Sequence, residues 1–264
     1  MTELNILFRK RIGISEDENI GFEKLEHVLE KTAQSIPFEN LCIIENKTYE
    51  ITKENLINKI LVRNEGGLCY ELNAIFYFFL IENGFNAFLV RGGVYNNETQ
   101  AFQQLGRTHV TILVNHEGQT YLIDTGFGGN LPLKLVPLTG ESVTSKNGEF
   151  RIKKENSVHG DHILEMKLKH KDTDWKIGYA FDSSKPVADI SELNEIQTII
   201  CEHPKSPFNK NPLISLFTDS GKLILTNTSF TQRIDGVITK NKMNNKKFKE
   251  LAKQHFGIQK DSDC

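Results

Sequence analysis

The pattern of apolar positions divides the chain into a helical first third and a strand-rich middle. Phe22, Leu25, Val28 and Leu29 recur at helical spacing and give way to the polar stretch before Ile36-Pro37, where the proline marks a break. A second helix is predicted around residues 53–61. The clearest helical stripe is Leu68, Leu72, Ile75, Phe76 and Phe79, which stops at Asn83-Gly84. Gly66-Gly67 precedes that stripe, so Cys69 is predicted in the first turn of the helix.

From Phe85 the period shortens. Residues 87–91, 108–114, 121–124, 149–153, 163–168 and 175–181 read as strands separated by turn residues such as Asn147-Gly148. They predict an antiparallel sheet or barrel. Residues 191–201 read as a helix, residues 213–225 as strands split by Asp219-Ser220-Gly221, and residues 246–255 as a short amphipathic helix. The predicted fold is α+β, with an N-terminal helical bundle (1–83), a central antiparallel β-barrel (84–189) and a C-terminal α/β lid (190–264). No internal repeat or low-complexity linker interrupts the chain.

Composition narrows the function classes. The chain has 264 residues, with 32 Lys+Arg against 34 Asp+Glu, and this balance lacks the basic surplus of a nucleic-acid binder. The longest apolar run, Ala74 to Ile81, is too short for a membrane helix, and the first residues show no apolar signal-peptide core. The four cysteines, Cys42, Cys69, Cys201 and Cys264, form no CxxC pair, so neither a disulfide framework nor a zinc ribbon is predicted. The expectation is a cytoplasmic protein with reduced thiols, no membrane or nucleic-acid partner, and no metal.

Phosphate-binding and serine-hydrolase motifs are missing: there is no GxxxxGK[ST] and no GxSxG. His159 and His162 form an HxxH pair without a third ligand, expected on an exposed turn before a strand. Cys69 is more informative. A cysteine with an ordinary pKa of about 8.5 becomes a nucleophile when a helix N-terminus and an imidazole favour the thiolate. The paired glycines let backbone approach and leave N–H groups near the sulfur for an oxyanion. The same position also suits a buried core thiol.

A base and an orienting group are available on one predicted hairpin. His109 lies in the run 108–114, and Asp124 ends the run 121–124. A loop centred on His116-Glu117 makes the two residues direct opposites; one centred on Glu117-Gly118 makes them diagonal neighbours on the same face. Only the intermediate register separates their faces.

Pattern alone does not bring Cys69 to His109. GGLCYELN (66–73), THVTILV (108–114) and IDTGFGG (123–129), with RIG (11–13) and IPFENL (36–41), resemble the arylamine N-acetyltransferases; SPF (206–208) is a weaker echo. The resemblance implies Cys69 as acyl acceptor, His109 as base and Asp124 as its orienter. It implies acetyl-coenzyme A as donor, with Gly106, Gly128 and Gly129 near the cofactor. It places Phe38, with Phe127, in a pocket for an aromatic amine or hydrazine. The family usually has Arg directly before the glycine pair; here Glu65 occupies that place, and it is expected to face solvent or pair with Arg63. The expected reaction is ping-pong acetyl transfer in xenobiotic metabolism. The alternatives are a transglutaminase-like or other cysteine hydrolase using the same three residues, and a non-catalytic binding protein on the same fold.

Overall fold

The computed structural model describes residues 1–258, so Cys264 lies outside the described residues. The N-terminal part holds α1 (Glu3–Ile12), α2 (Leu25–Ser35), α3 (Leu41–Ile44), α4 (Lys53–Leu56) and α5 (Cys69–Glu82), with a two-residue strand β1 (Phe38–Glu39) after Pro37. The predicted helix over 53–61 begins as α4 and continues as a π-helical turn over Ile57–Val62. α5 is buried on more faces than the single predicted stripe. Ala74, Leu80 and Tyr70 are as inaccessible as Phe76 and Phe79. The helix is sandwiched between α1, where Phe8 stacks on Phe79 with centroids 4.4 Å apart, and the strands behind it.

Those strands form a nine-stranded antiparallel, nearly closed, barrel-like sheet. In chain order they are β2 (Asn86–Asn96), β3 (Ala101–Phe102), β4 (His109–His116), β5 (Gln119–Ile123), β6 (Val136–Pro137), β7 (Val143–Ser145), β8 (Gly148–Ser157), β9 (Gly160–Leu168) and β10 (Lys176–Pro186). Their spatial order is β6-β5-β4-β2-β10-β9-β8-β7, with β3 paired to β2. β4 and β5 meet in a two-residue turn at Glu117-Gly118, where both residues have positive φ, 48° and 78°. That is the type I′ geometry that matches strand twist.

After α6 (Glu192–Glu202), a second sheet is built from β11 (Leu213–Thr218), β12 (Gly221–Thr226), β13 (Ser229–Ile234) and β14 (Val237–Lys242), and α7 (Asn245–Phe256) packs on it. Its fifth strand is β1, with Phe38 opposite Ser215 and Glu39 opposite Ile214. This pairing ties the Pro37–Asn40 segment to a sheet more than 170 residues away in sequence. It is why Phe38 stands beside the C-terminal part.

The HxxH pair departs from its expectation. His159 is half-buried on the turn before β9. His162 is buried within β9 and stacks on Phe181 with centroids 5.6 Å apart. Among the described residues no helix is long and apolar enough to cross a membrane, and no group of three His, Cys, Asp or Glu residues converges on a metal position.

Candidate active site

Cys69 is the first residue of α5, and the local sequence explains why the helix starts there. Gly66 lies so close to the loop that a Cβ would meet Pro37 O at 2.0 Å, and a Cβ on Gly67 would meet Glu71 Oε2 at 2.8 Å. Glu71, three residues into the helix, accepts from Leu68 N–H at 2.9 Å. Lys59, rising from the π turn, binds Glu71 and lies 3.8 Å from Glu39, so a buried cation sits between two buried carboxylates. Gly67 N–H is taken by Pro37 O at 3.3 Å and is not free for an oxyanion. The donors left at this end are the first-turn N–H groups of Cys69 and Tyr70, which have no intrahelical acceptor.

The hairpin adopts the register centred on Glu117-Gly118: Ile112 opposes Ile123 and His116 opposes Gln119. Extending that register leaves His109 and Asp124 diagonal on one face, and His109 Nε2 lies 2.8 Å from Asp124 Oδ2. Cys69 stands close enough to act on the same imidazole and favours its charged form. Burial disfavours a charged His109, but the Asp124 charge and the hydrogen bonds to Asp124 and Cys69 override it and hold the imidazole up at about 10. The Cys69 sulfur also lies 3.6 Å from Thr108 O.

Asp124 is completely buried and satisfied by four donors. Oδ2 accepts from His109 and from Tyr179 Oη, each at 2.8 Å; Oδ1 accepts from Gly126 N–H at 2.8 Å and Asn73 Nδ2 at 3.0 Å. Asn73, one α5 turn beyond Cys69, also donates to Val110 O and accepts from Thr125, so one side chain joins α5 to both arms of the hairpin. Tyr179 carries no functional signal in the sequence, and Gly126 stands out there only as part of the IDTGFGG segment. A Tyr in an alternating strand reads as core. Gly126 shows its reason only in space, since a Cβ there would meet Cys69 Cα at 2.5 Å.

Cys69 and His109 open onto a cavity of about 270 Å³, with Asp124 buried behind them. Phe38 and Phe127 line it, as do Gly128 and Gly129, and Leu105, Ile200 and Phe208 complete its apolar wall. Phe38 meets Phe208 edge-on at 5.7 Å, and Phe127 lies 5.1 Å from the His109 ring. Gly128, at φ 55°, passes within 3.5 Å of the Phe38 ring, measured from where its Cβ would stand. Gly106 has φ 71° and does not itself line the cavity, although Leu105 and Thr108 on either side of it do.

Glu65 is turned away from this chemistry. It forms a two-pronged ion pair with Arg63, at 2.9 and 3.1 Å. The remaining described cysteines differ from Cys69 in having no imidazole: burial pushes Cys42 up to about 12 and raises Cys201.

An N-acetyltransferase family model matches residues 21–263 of the chain. An uncharacterized acetyltransferase of Bacillus subtilis (strain 168) is 39% identical over 248 residues, covering 94% of this chain and 95% of that protein. A probable arylamine N-acetyltransferase of Dictyostelium discoideum is 31% identical, covering 87% of this chain and 83% of that protein. The crystal structure of an arylamine N-acetyltransferase from Bacillus cereus superposes with a TM-score of 0.93 at 42% identity, covering 98% of this chain and all of that one. That enzyme is described as having a unique Cys-His-Glu catalytic triad. Here the carboxylate that meets the histidine is an aspartate.

Proposed function

The chain belongs to the arylamine N-acetyltransferase family, and we propose that it transfers the acetyl group of acetyl-coenzyme A to the nitrogen of an arylamine or arylhydrazine through a thioester on Cys69. The observation that carries this reading is His109, held 2.8 Å from the buried Asp124 and acted on by Cys69, at the wall of a largely apolar cavity that Cys69 and His109 both line.

With His109 held up at about 10, the imidazole carries a proton near neutral pH. The Cys69 sulfur attacks the thioester carbonyl, and the oxyanion forms beside the open N–H groups at the start of α5. When the intermediate collapses, His109 gives its proton to the departing coenzyme A sulfur. In the second half-reaction the amine attacks the acetyl carbon, His109 takes the proton lost by nitrogen, and Cys69 leaves. Asp124 keeps the imidazole in one orientation throughout and balances its charge. An arylamine suits this order because its nitrogen is uncharged near neutral pH, and Phe38, Phe127 and Phe208 offer ring faces to it.

Gly128 and Gly129 are assigned to the donor side of the cavity and Gly106 to the strand-side approach. The chain is read as three parts, 1–83, 84–189 and 190–264, with the last acting as a lid through Ile200 and Phe208. Reduced thiols and the transfer chemistry fit a cytoplasmic enzyme of xenobiotic metabolism. Initial-rate kinetics with both substrates varied test the scheme. Parallel double-reciprocal lines are expected, and lines that intersect would exclude a covalent intermediate formed before the amine binds.

A further inference from the structure

Separate from the catalytic cavity is a second, basic cleft of about 200 Å³, whose Lys222 reaches Gly129 O. Its floor is one row across the C-terminal sheet, running Phe217, Lys222, Arg233 and Ile238, each the register partner of the next. Lys169 and Lys171 stand over it from the turn after β9.

Like charges placed directly opposite on one face of an antiparallel pair repel and destabilise it. Lys222 and Arg233 are such a pair. Lys222 Nζ finds only uncharged acceptors, Gly129 O at 2.6 Å and Asn147 Oδ1 at 3.3 Å, and lies 5.5 Å from the Phe217 ring. Burial, then Arg233 and Lys171, lower its ammonium to about 8, against a weaker pull from Asp172. Arg233 Nε is buried without a hydrogen-bond partner among the described residues. The acids on the rim, Asp219 and Asp235, sit on the two hairpin turns, and Asp219 is engaged by Gln34 at 3.0 Å.

We propose that this cleft is an anion site for a diphosphate group, gripped by Lys222 and Arg233. A guanidinium fork and an ammonium on adjacent strands match the paired oxygens of such a group, and the anion removes the repulsion between them. Two sources carry that chemistry: the nucleotide end of a coenzyme A donor, and a free pyrophosphate or nucleotide. The site stands without the transfer reaction; its use by the donor rests on the proposed function. Gly129 lines the catalytic cavity and its carbonyl accepts from Lys222 of the cleft at 2.6 Å, so an occupied cleft bears on the glycine loop that follows Asp124.

Titration calorimetry of the full chain with inorganic pyrophosphate, at neutral pH and fixed ionic strength, tests the site. Saturable binding is expected. Arg233→Gln and Lys222→Gln should each weaken it about tenfold or more, the loss of one charge-assisted hydrogen bond. Lys240→Gln, on the exposed strand β14, removes the same charge outside the cleft and should leave it within about twofold, as for a screened surface charge. No saturable binding, or an equal loss with Lys240→Gln, overturns the proposal. Displacement of pyrophosphate by coenzyme A supports the site with the donor as source; joint binding supports it with a free anion. An absent acetyl-Cys69 leaves this titration untouched, so the two proposals fail separately.

Discussion

Tyr179 and His109 donate to the same oxygen of Asp124, each from 2.8 Å, and their rings lie 4.3 Å apart. The phenol therefore supports the carboxylate at the atom on which the imidazole depends. Tyr179→Phe keeps the ring but removes the donor. It should cost about 1–3 kcal/mol of stability, the range for a hydrogen bond to a buried charged group, and slow Cys69 acetylation about tenfold. Thermal melts and single-turnover acetylation check this, and an unchanged rate would show that the phenol is only packing.

The ionisation of His109 makes a pH prediction whose sign follows from its direction. Its folded value lies at about 10, above the ordinary 6.5, so protonated His109 stabilises the fold. That contribution is complete below pH 6.5 and is lost as pH rises through about 10. Lys222 works in the opposite sense: its folded value is lowered from 10.5 to about 8, so its cost is present below 8 and relieved as pH rises toward 10.5. Asp124→Asn removes the charge that holds His109 up. The difference between wild-type and variant melting temperatures should therefore shrink steadily from pH 6.5 to 10. A constant difference would contradict the assignment.

Gly126→Ala places a methyl group 2.5 Å from Cys69 Cα, and backbone must move. Overpacking of this kind costs about 1–3 kcal/mol. The larger consequence is expected at the sulfur: alkylation of Cys69 by iodoacetamide should slow strongly while the circular dichroism stays that of the wild type.

Lys59→Met and Glu65→Arg separate two charged features near the same loop. Lys59 lies between the buried Glu71 and Glu39, and its removal leaves both carboxylates uncompensated, a loss of about 3–5 kcal/mol. Glu65 pairs with Arg63 in a partly exposed position, so Glu65→Arg, which restores the family's usual residue, should change stability by less than about 1 kcal/mol. Chemical denaturation of both variants decides whether Lys59 supplies the cation of this loop.

How far these features were legible in the sequence depends on how local they are. Strand arithmetic put His109 and Asp124 on one face in two of three registers, and Glu117-Gly118, with positive φ at both turn positions, selects one of those two. The approach of Cys69 to His109 was not legible from pattern, because it comes from α5 packing across β4 through Asn73, and only the family resemblance anticipated it. The strand at Phe38-Glu39 was read as a break after Pro37, since its partner at Ile214-Ser215 lies in another part of the chain. The hairpin of β13 and β14 is marked in the sequence by its Asp235-Gly236 turn alone: every residue of β14 is exposed, so no alternation shows the strand.

The central claim is an acetyl group carried on Cys69. Intact-protein and peptide mass spectrometry after mixing with acetyl-coenzyme A, without amine, measures it directly. The account predicts one added acetyl group, of about 42 Da by the loss of a thiol proton and the formation of a thioester, on the peptide containing Cys69, discharged when an arylamine is added and not formed in Cys69→Ser. A folded protein that turns over arylamine while Cys69 remains unmodified would contradict it.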